Sequence, residues 1–151
     1  MGGFRLGETT EAKSTPRENI DDLLIQPSVW HNYPLKTGVP LRGLRAWPAP
    51  SKSDAEALVR YWASFYGADP NLAVCLVWYE SGFNSAARNP SSTAAGLGQF
   101  IKSTFNSTAQ RMGLPYTYEE YVLNAEVNAQ MMGWLLATDG PTHWVVWRSC
   151  G

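Results

Sequence analysis

The stretch Asp69-Pro-Asn-Leu72-Ala-Val-Cys75-Leu-Val-Trp-Tyr79-Glu80-Ser-Gly82-Phe-Asn84 decides the fold of this chain. Asp69 is a good helix N-cap, and Pro70 suits the first helical position. Nothing breaks the helix until Gly82, a natural C-terminal stop. The run from Leu72 to Tyr79 is apolar all round, which predicts a central helix rather than an amphipathic surface one. Glu80 then falls in the last turn. Burial disfavours its charged form, and the negative end of the helix dipole acts the same way. Both push its pKa up. A carboxyl that keeps its proton near neutral pH is what a general acid needs. The plainer alternative is a last-turn Glu that points to water or bonds nearby backbone.

The chain has 151 residues, enough for one domain with additional chain attached. A hydrophobic content of 44% supports a real core. With 12 basic and 13 acidic residues, nothing favours nucleic acid as a partner. No apolar run approaches the roughly 18 residues of a membrane span. The opening Met1-Gly-Gly-Phe-Arg-Leu-Gly-Glu8 has no apolar core of a signal peptide. No spacing of His, Cys and carboxylates suggests a metal site, and no cofactor motif is present. A monomer is expected. Seven Trp and seven Tyr are many for this length; most serve packing, though aromatics are also platforms for sugar rings.

Residues 1 to 50 read differently from the rest. Pro16, Pro27, Pro34, Pro40, Pro48 and Pro50 interrupt any long helical period. They predict an extended arm with at most a helical turn or two at Ile20–Ile25, laid on the domain through Trp30, Tyr33 and Trp47. His31 is expected in water. The domain should occupy 51–151. Ser53-Asp-Ala-Glu56 fits a capping box, followed by Leu58, Tyr61, Trp62 and Phe65 at helical spacing until Gly67. The Glu80 helix comes next. A loop rich in Ser, Asn, Ala and Pro spans Asn84 to Ala95, with room for a small hairpin. A helix is predicted from about Ser103 to Met112. Thr117-Tyr-Glu-Glu120 is a second capping-box match. Asn124 can cap a last long helix with Val127, Met131, Trp134 and Leu135 inward, ended by Gly140-Pro141. The result is a mostly α domain with a short loop or hairpin region beside the Glu80 helix.

Taken in order, Glu80-Ser-Gly-Phe-Asn84, Asn89-Pro90, Ala95-Gly-Leu-Gly-Gln-Phe100, Lys102-Ser-Thr-Phe105 and Asn124-Ala-Glu-Val-Asn128 form a pattern. It resembles the catalytic domain of soluble lytic transglycosylases (SLT), in the lysozyme-like superfamily. The likeness covers about residues 53–150. It implies an α+β lysozyme-like fold and, as partner, the glycan strands of peptidoglycan, cut between N-acetylmuramic acid and N-acetylglucosamine. It implies that Glu80 protonates the glycosidic oxygen, then withdraws a proton from the muramic acid 6-hydroxyl. The product is a 1,6-anhydromuramoyl end. One feature of the sequence agrees with this. After Glu80 the next acidic residue is Glu119. Hydrolases with two carboxylates hold them about 5 to 9.5 Å apart, and only a distant Glu120, Glu126 or Asp139 could fold close.

The same resemblance places Gln99 in the sugar groove. It makes Ser81, Asn89, Gly98 and Phe100 candidate substrate contacts. Gly96 and Gly98 read as backbone requirements. Where many relatives carry Met, Gly98 widens the site; Asn89 can equally form a turn at Asn-Pro. Relatives also carry a Tyr after the last helix, where this chain has Thr142-His-Trp-Val-Val-Trp147; His143 and Trp144 are read there as packing residues first. Cys75 and Cys150 can pair, pinning the chain's end to the Glu80 helix in an oxidising compartment, or remain two thiols. The setting implied is the cell envelope, whether periplasmic, extracellular or phage-delivered. The competing functions are a hydrolytic lysozyme on the same scaffold and a non-catalytic wall-binding module.

Overall fold

A computed structural model of the chain describes residues 43–151. The arm up to residue 42, with Trp30, His31, Tyr33 and the Ile20–Ile25 turn, lies outside the described residues. The described part is mostly helical. Helix α1 covers Lys52–Tyr66, α2 Pro70–Ser81, α3 Lys102–Met112, α4 Tyr118–Tyr121 and α5 Ala125–Asp139. Two 3-10 segments, Pro141–His143 and Val145–Cys150, close the chain.

The ends follow local chemistry, with one correction. Ser51, not Ser53, caps α1, its Oγ accepting from the Asp54 amide at 3.1 Å. Glu56 does not reach back to a cap; it pairs with Arg60 one turn on, at 3.2 Å. Asp69 caps α2 through the Asn71 amide at 2.9 Å, and Asn124 caps α5 through the Val127 amide at 2.9 Å. Thr117 stands at the start of α4 without a side-chain cap bond.

The apolar pattern of α2 leads to an overestimate of its burial. Ala73, Leu76 and Val77 are in the core, yet Trp78 and Tyr79 are 59% and 53% exposed. Helix α5 is the central one. Its residues from Val127 to Gly133 are all buried, and α1, α2 and α3 pack on it. At Gly133 an added Cβ would stand 2.6 Å from the Trp62 carbonyl oxygen, so α1 and α5 cross at backbone contact. Helix α2 lies to the side of α5. Its last turn runs out to the surface, which is how it can present a carboxylate there.

The hairpin region reduces to two isolated antiparallel bridges, Arg88 with Ala95 and Ala95 with Phe100. No longer ladder forms among the described residues. The Ser- and Asn-rich loop bonds its own backbone instead. Asn84 Oδ1 accepts from the Ala86 amide at 2.9 Å, Asn89 Oδ1 from the Ser91 amide at 2.8 Å, and Ser92 Oγ from the Ala94 amide at 3.1 Å.

Residues 43–50 lie on the domain, so the packed body takes in residues before Ser51. Leu44 is buried. The Arg45 amide donates to the Glu119 carbonyl at 2.8 Å, and its guanidinium pairs with Glu120 at 2.6 Å. Trp47 donates to the Glu120 carbonyl at 2.7 Å and stacks on Tyr121.

Cys75 and Cys150 are joined as a disulfide, with Cα atoms 5.8 Å apart. The bridge fastens the last 3-10 segment to the middle of α2. Closing a loop of sequence separation 75 limits the unfolded chain, typically worth about 2 to 4 kcal/mol. Cys150→Ser should therefore lower unfolding free energy by about that amount in a denaturant titration. A loss below about 0.5 kcal/mol would show that packing alone holds the segment.

Candidate active site

Glu80 occupies the last turn of α2, before the left-handed cap at Gly82 (φ 60°). Phe83 follows at φ 65°, a conformation costly for a bulky residue. Two left-handed residues in succession turn the chain sharply away and leave the helix end open. Glu80 is half-buried. Burial pushes its carboxyl above the ordinary value, and no neighbouring charge contributes to the shift. Among the described residues no side chain pairs with it.

The acidic residues that might have served as partners are engaged elsewhere. Glu119 binds Lys102 at 2.5 Å, which holds its carboxyl below the usual range. Glu120 binds Arg45. Asp139 receives both Arg111 nitrogens at 2.8 and 2.9 Å and His143 at 3.0 Å, holding its carboxyl far below the usual range. Glu126 acts on Tyr61 and Tyr116, whose hydroxyls it helps to raise after burial.

The loop Gly96-Leu-Gly-Gln99 is held to the end of α2 by Ser81. Its Oγ donates to the Leu97 carbonyl at 2.8 Å. That bond places the loop beside the acid, and it shows what the Ser81 hydroxyl does in this structure. Gln99 stands at φ 51°, a strained position for a residue other than glycine. Its Nε2 donates to the Gly96 carbonyl at 3.0 Å and to the Ala87 carbonyl at 3.2 Å. Both amide hydrogens are thereby used, leaving Oε1 as an acceptor.

Asn128, the last residue of the Asn124–Asn128 motif and given no role by the sequence, anchors the loop from below. It is fully buried in α5. Its Oδ1 accepts from the Gly98 amide at 2.8 Å, and its Nδ2 donates to the Val122 carbonyl at 2.9 Å. The signal available was a polar amide among Val127, Ala129 and Met131. Trp144 completes the support, its Nε1 donating to the Gly98 carbonyl at 2.9 Å.

The other sequence candidates divide. Gly98 is buried, with amide and carbonyl both bonded inward. Phe100 is also buried, edge-on to Phe105 and Trp144, so it is a floor beneath the loop rather than a surface. Asn89 is exposed and forms a turn with Ser91. It lines a separate pocket of about 310 Å³ with Arg88, Thr93, Lys102 and Tyr118. The structure thus ties the Gly96–Gln99 loop to the end of α2 through Ser81 and sets Asn89 on a separate pocket.

The family model described as Transglycosylase SLT domain matches residues 57–145, more than half of the chain and all of this arrangement. The chain belongs to the SLT family. Membership brings peptidoglycan as the substrate class, the cell envelope as the setting, and transglycosylase-type chemistry in general. No curated protein matches the chain. No described helix of this SLT domain is long and apolar enough to cross a membrane.

Proposed function

We propose that this SLT domain cleaves the β-1,4 bond between N-acetylmuramic acid and N-acetylglucosamine, with Glu80 as sole acid and base. The observation that carries the reading is the isolation of Glu80. Its carboxyl is raised by burial alone, with no carboxylate acting on it. Protonated, it donates to the departing glycosidic oxygen. As a carboxylate, it then accepts the proton of the muramic acid 6-hydroxyl, which closes on C1. The proton count balances over the cycle, and water is not consumed. Gln99, an acceptor through Oε1, stands on the loop that Ser81 ties beside the acid and would bond a sugar hydroxyl.

A two-carboxylate hydrolase needs a second group within about 10 Å, poised against the sugar or a water. The ion pairs of Glu119, Glu120 and Asp139 argue against that use. Mass spectrometry of digested peptidoglycan separates the two. The expected products carry 1,6-anhydromuramic ends. Reducing ends would mean a hydrolytic lysozyme, and intact strands a module that only binds the wall.

A further inference from the structure

After α5 the chain forms a strap, residues 141–151, that runs from the Gly96–Gln99 loop to α2. Trp144 holds one end. It is buried, its Nε1 donates to the Gly98 carbonyl at 2.9 Å, and its ring meets Phe100 edge-on. Cys150 holds the other end, joined to Cys75 in the helix that carries Glu80. The acid's helix and the loop are therefore tied twice. The bond from Ser81 Oγ to the Leu97 carbonyl, at 2.8 Å, is the first tie. The strap is the second, and a bond that thiols can open completes it.

Little else holds the strap. Trp144 is its only buried residue, and neither 3-10 segment contains one. Val146, Trp147 and Cys150 are only partly buried against the core, and Val145 is exposed. The Trp144 amide donates to the Pro141 carbonyl and the Trp147 amide to the Trp144 carbonyl, both within the strap. The Arg148 guanidinium lies over the Trp147 ring, again within it. The contact of His143 with Asp139 is a surface pair, and such pairs contribute little. A 3-10 turn has poorer hydrogen-bond geometry than an α-helix, so the segment Val145–Cys150 needs support from outside itself. One buried side chain would otherwise have to offset the ordering of the whole strap. The disulfide shifts that balance, because it fixes the far end to α2 whether or not Trp144 is seated. Both cysteines are partly exposed, so a thiolate can reach the bridge. The core does not need it: α1, α2 and α3 pack on α5, which ends before the strap begins.

We propose that the Cys75–Cys150 disulfide is a redox latch on strand cleavage. Closed, it keeps Trp144 seated against the Gly98 carbonyl. Open, the strap leaves, and the Gly96–Gln99 loop keeps only its bonds to Ser81 and Asn128. The latch is a device of the proposed active site and rests on the peptidoglycan reading above. Opening is a two-electron exchange. One thiolate of a dithiol attacks a sulfur of the bridge and forms a mixed disulfide. The second thiolate then displaces the protein sulfur. The dithiol ends as its own disulfide, and Cys75 and Cys150 end as thiols. Exchange with another disulfide closes the latch by the reverse steps. A reducing compartment thus holds the chain in its poorly active form, and an oxidising cell envelope switches it on. Trp144 is a positioning residue, acting through the loop.

The test compares the full chain in its oxidised form and after reduction with dithiothreitol. Reduction should lower kcat for strand cleavage by about ten- to a hundredfold, the effect of a small displacement within a site, and re-oxidation should restore it. The double variant Cys75→Ser, Cys150→Ser should show the low rate with and without dithiothreitol. Hydrogen exchange reads the strap directly. The Trp144 indole N–H should exchange about tenfold faster or more in the reduced chain, while the Met131 amide in α5 stays protected. Equal rates in the two forms, or a double variant as active as the oxidised chain, overturn the latch. A fall in rate with Trp144 exchange unchanged overturns it too, since the strap would not have moved. Loss of protection at Met131 does the same, because the bridge would then only hold the fold. If the oxidised chain cleaves no strands, the peptidoglycan reading falls, and Trp144 exchange alone decides whether the strap opens.

Discussion

Glu80→Gln is expected to remove nearly all strand cleavage, by about 10²- to 10⁴-fold, while the fold persists. In the proposed mechanism one group serves both proton transfers, and Glu119, Glu120 and Asp139 are bound to cations. Gln matches the shape of Glu and cannot exchange a proton. A variant that keeps more than about a tenth of the turnover would sink the assignment. The pH dependence follows from the same burial. The proposed mechanism begins from the acid form, so the rate should fall as pH rises through the raised pKa of Glu80. The linked stability has a definite sign. A carboxyl with a raised folded pKa holds its proton more tightly when folded. Its stabilising contribution is complete below the unfolded pKa of about 4.3 and is lost as pH rises through the folded value. The neutral Gln carries no such dependence. Melting both proteins at several pH values should show the Gln variant gaining on the parent as pH rises. The opposite trend would mean that Glu80 is an ordinary carboxylate stabilised by its charge.

The helix ends that position the candidate site are legible because their local rules are strong. Asp69-Pro70 and Gly82 mark the ends of α2, and so put Glu80 in its last turn before any packing is considered. Asn124 announces α5 in the same way. What the sequence hides is set by neighbours distant along the chain. An apolar run cannot say which of two helices is central, and α5 takes that place because three helices surround it. The role of Asn128 depends on the Gly98 amide 30 residues away. Asp139 and His143 share a helical turn's spacing, but Arg111 fixes their geometry from another helix. Two capping-box matches show the opposite error. Ser53-x-x-Glu56 and Thr117-x-x-Glu120 have the right letters, yet Arg60 and Arg45 claim the two glutamates. Phe100 reads as a groove aromatic by family position, and only the packing of Phe105 and Trp144 against it reveals a floor.

Gly96→Ala should be the most damaging single-methyl change in the loop. Two independent costs coincide there. The backbone stands at φ 84°, where a side chain is strained by about 1 to 3 kcal/mol. An added Cβ would also lie 2.2 Å from Asn128 Nδ2 and 2.3 Å from the Val122 carbonyl oxygen. Neither obstacle can swing aside. The carbonyl is backbone, and the amide is buried with both its ends bonded, so moving it leaves the Gly98 amide without its acceptor. Overpacking of this kind adds about 1 to 3 kcal/mol, and an orphaned buried donor costs a similar amount. A total of about 4 kcal/mol is a large part of a typical domain's stability. Gly98→Ala supplies the control two residues away. Its backbone is not left-handed, and its Cβ would meet first the flexible thioether of Met132, at 3.1 Å. That substitution should cost about 1 kcal/mol or less. Urea titrations of the three proteins decide the matter. Similar losses for Gly96→Ala and Gly98→Ala would mean that the loop can shift as a unit, and that Asn128 does not fix it against α5. A large loss at Gly96 with a small one at Gly98 would identify the Asn128 amide as the anchor that fixes the Gly96–Gln99 loop against α5.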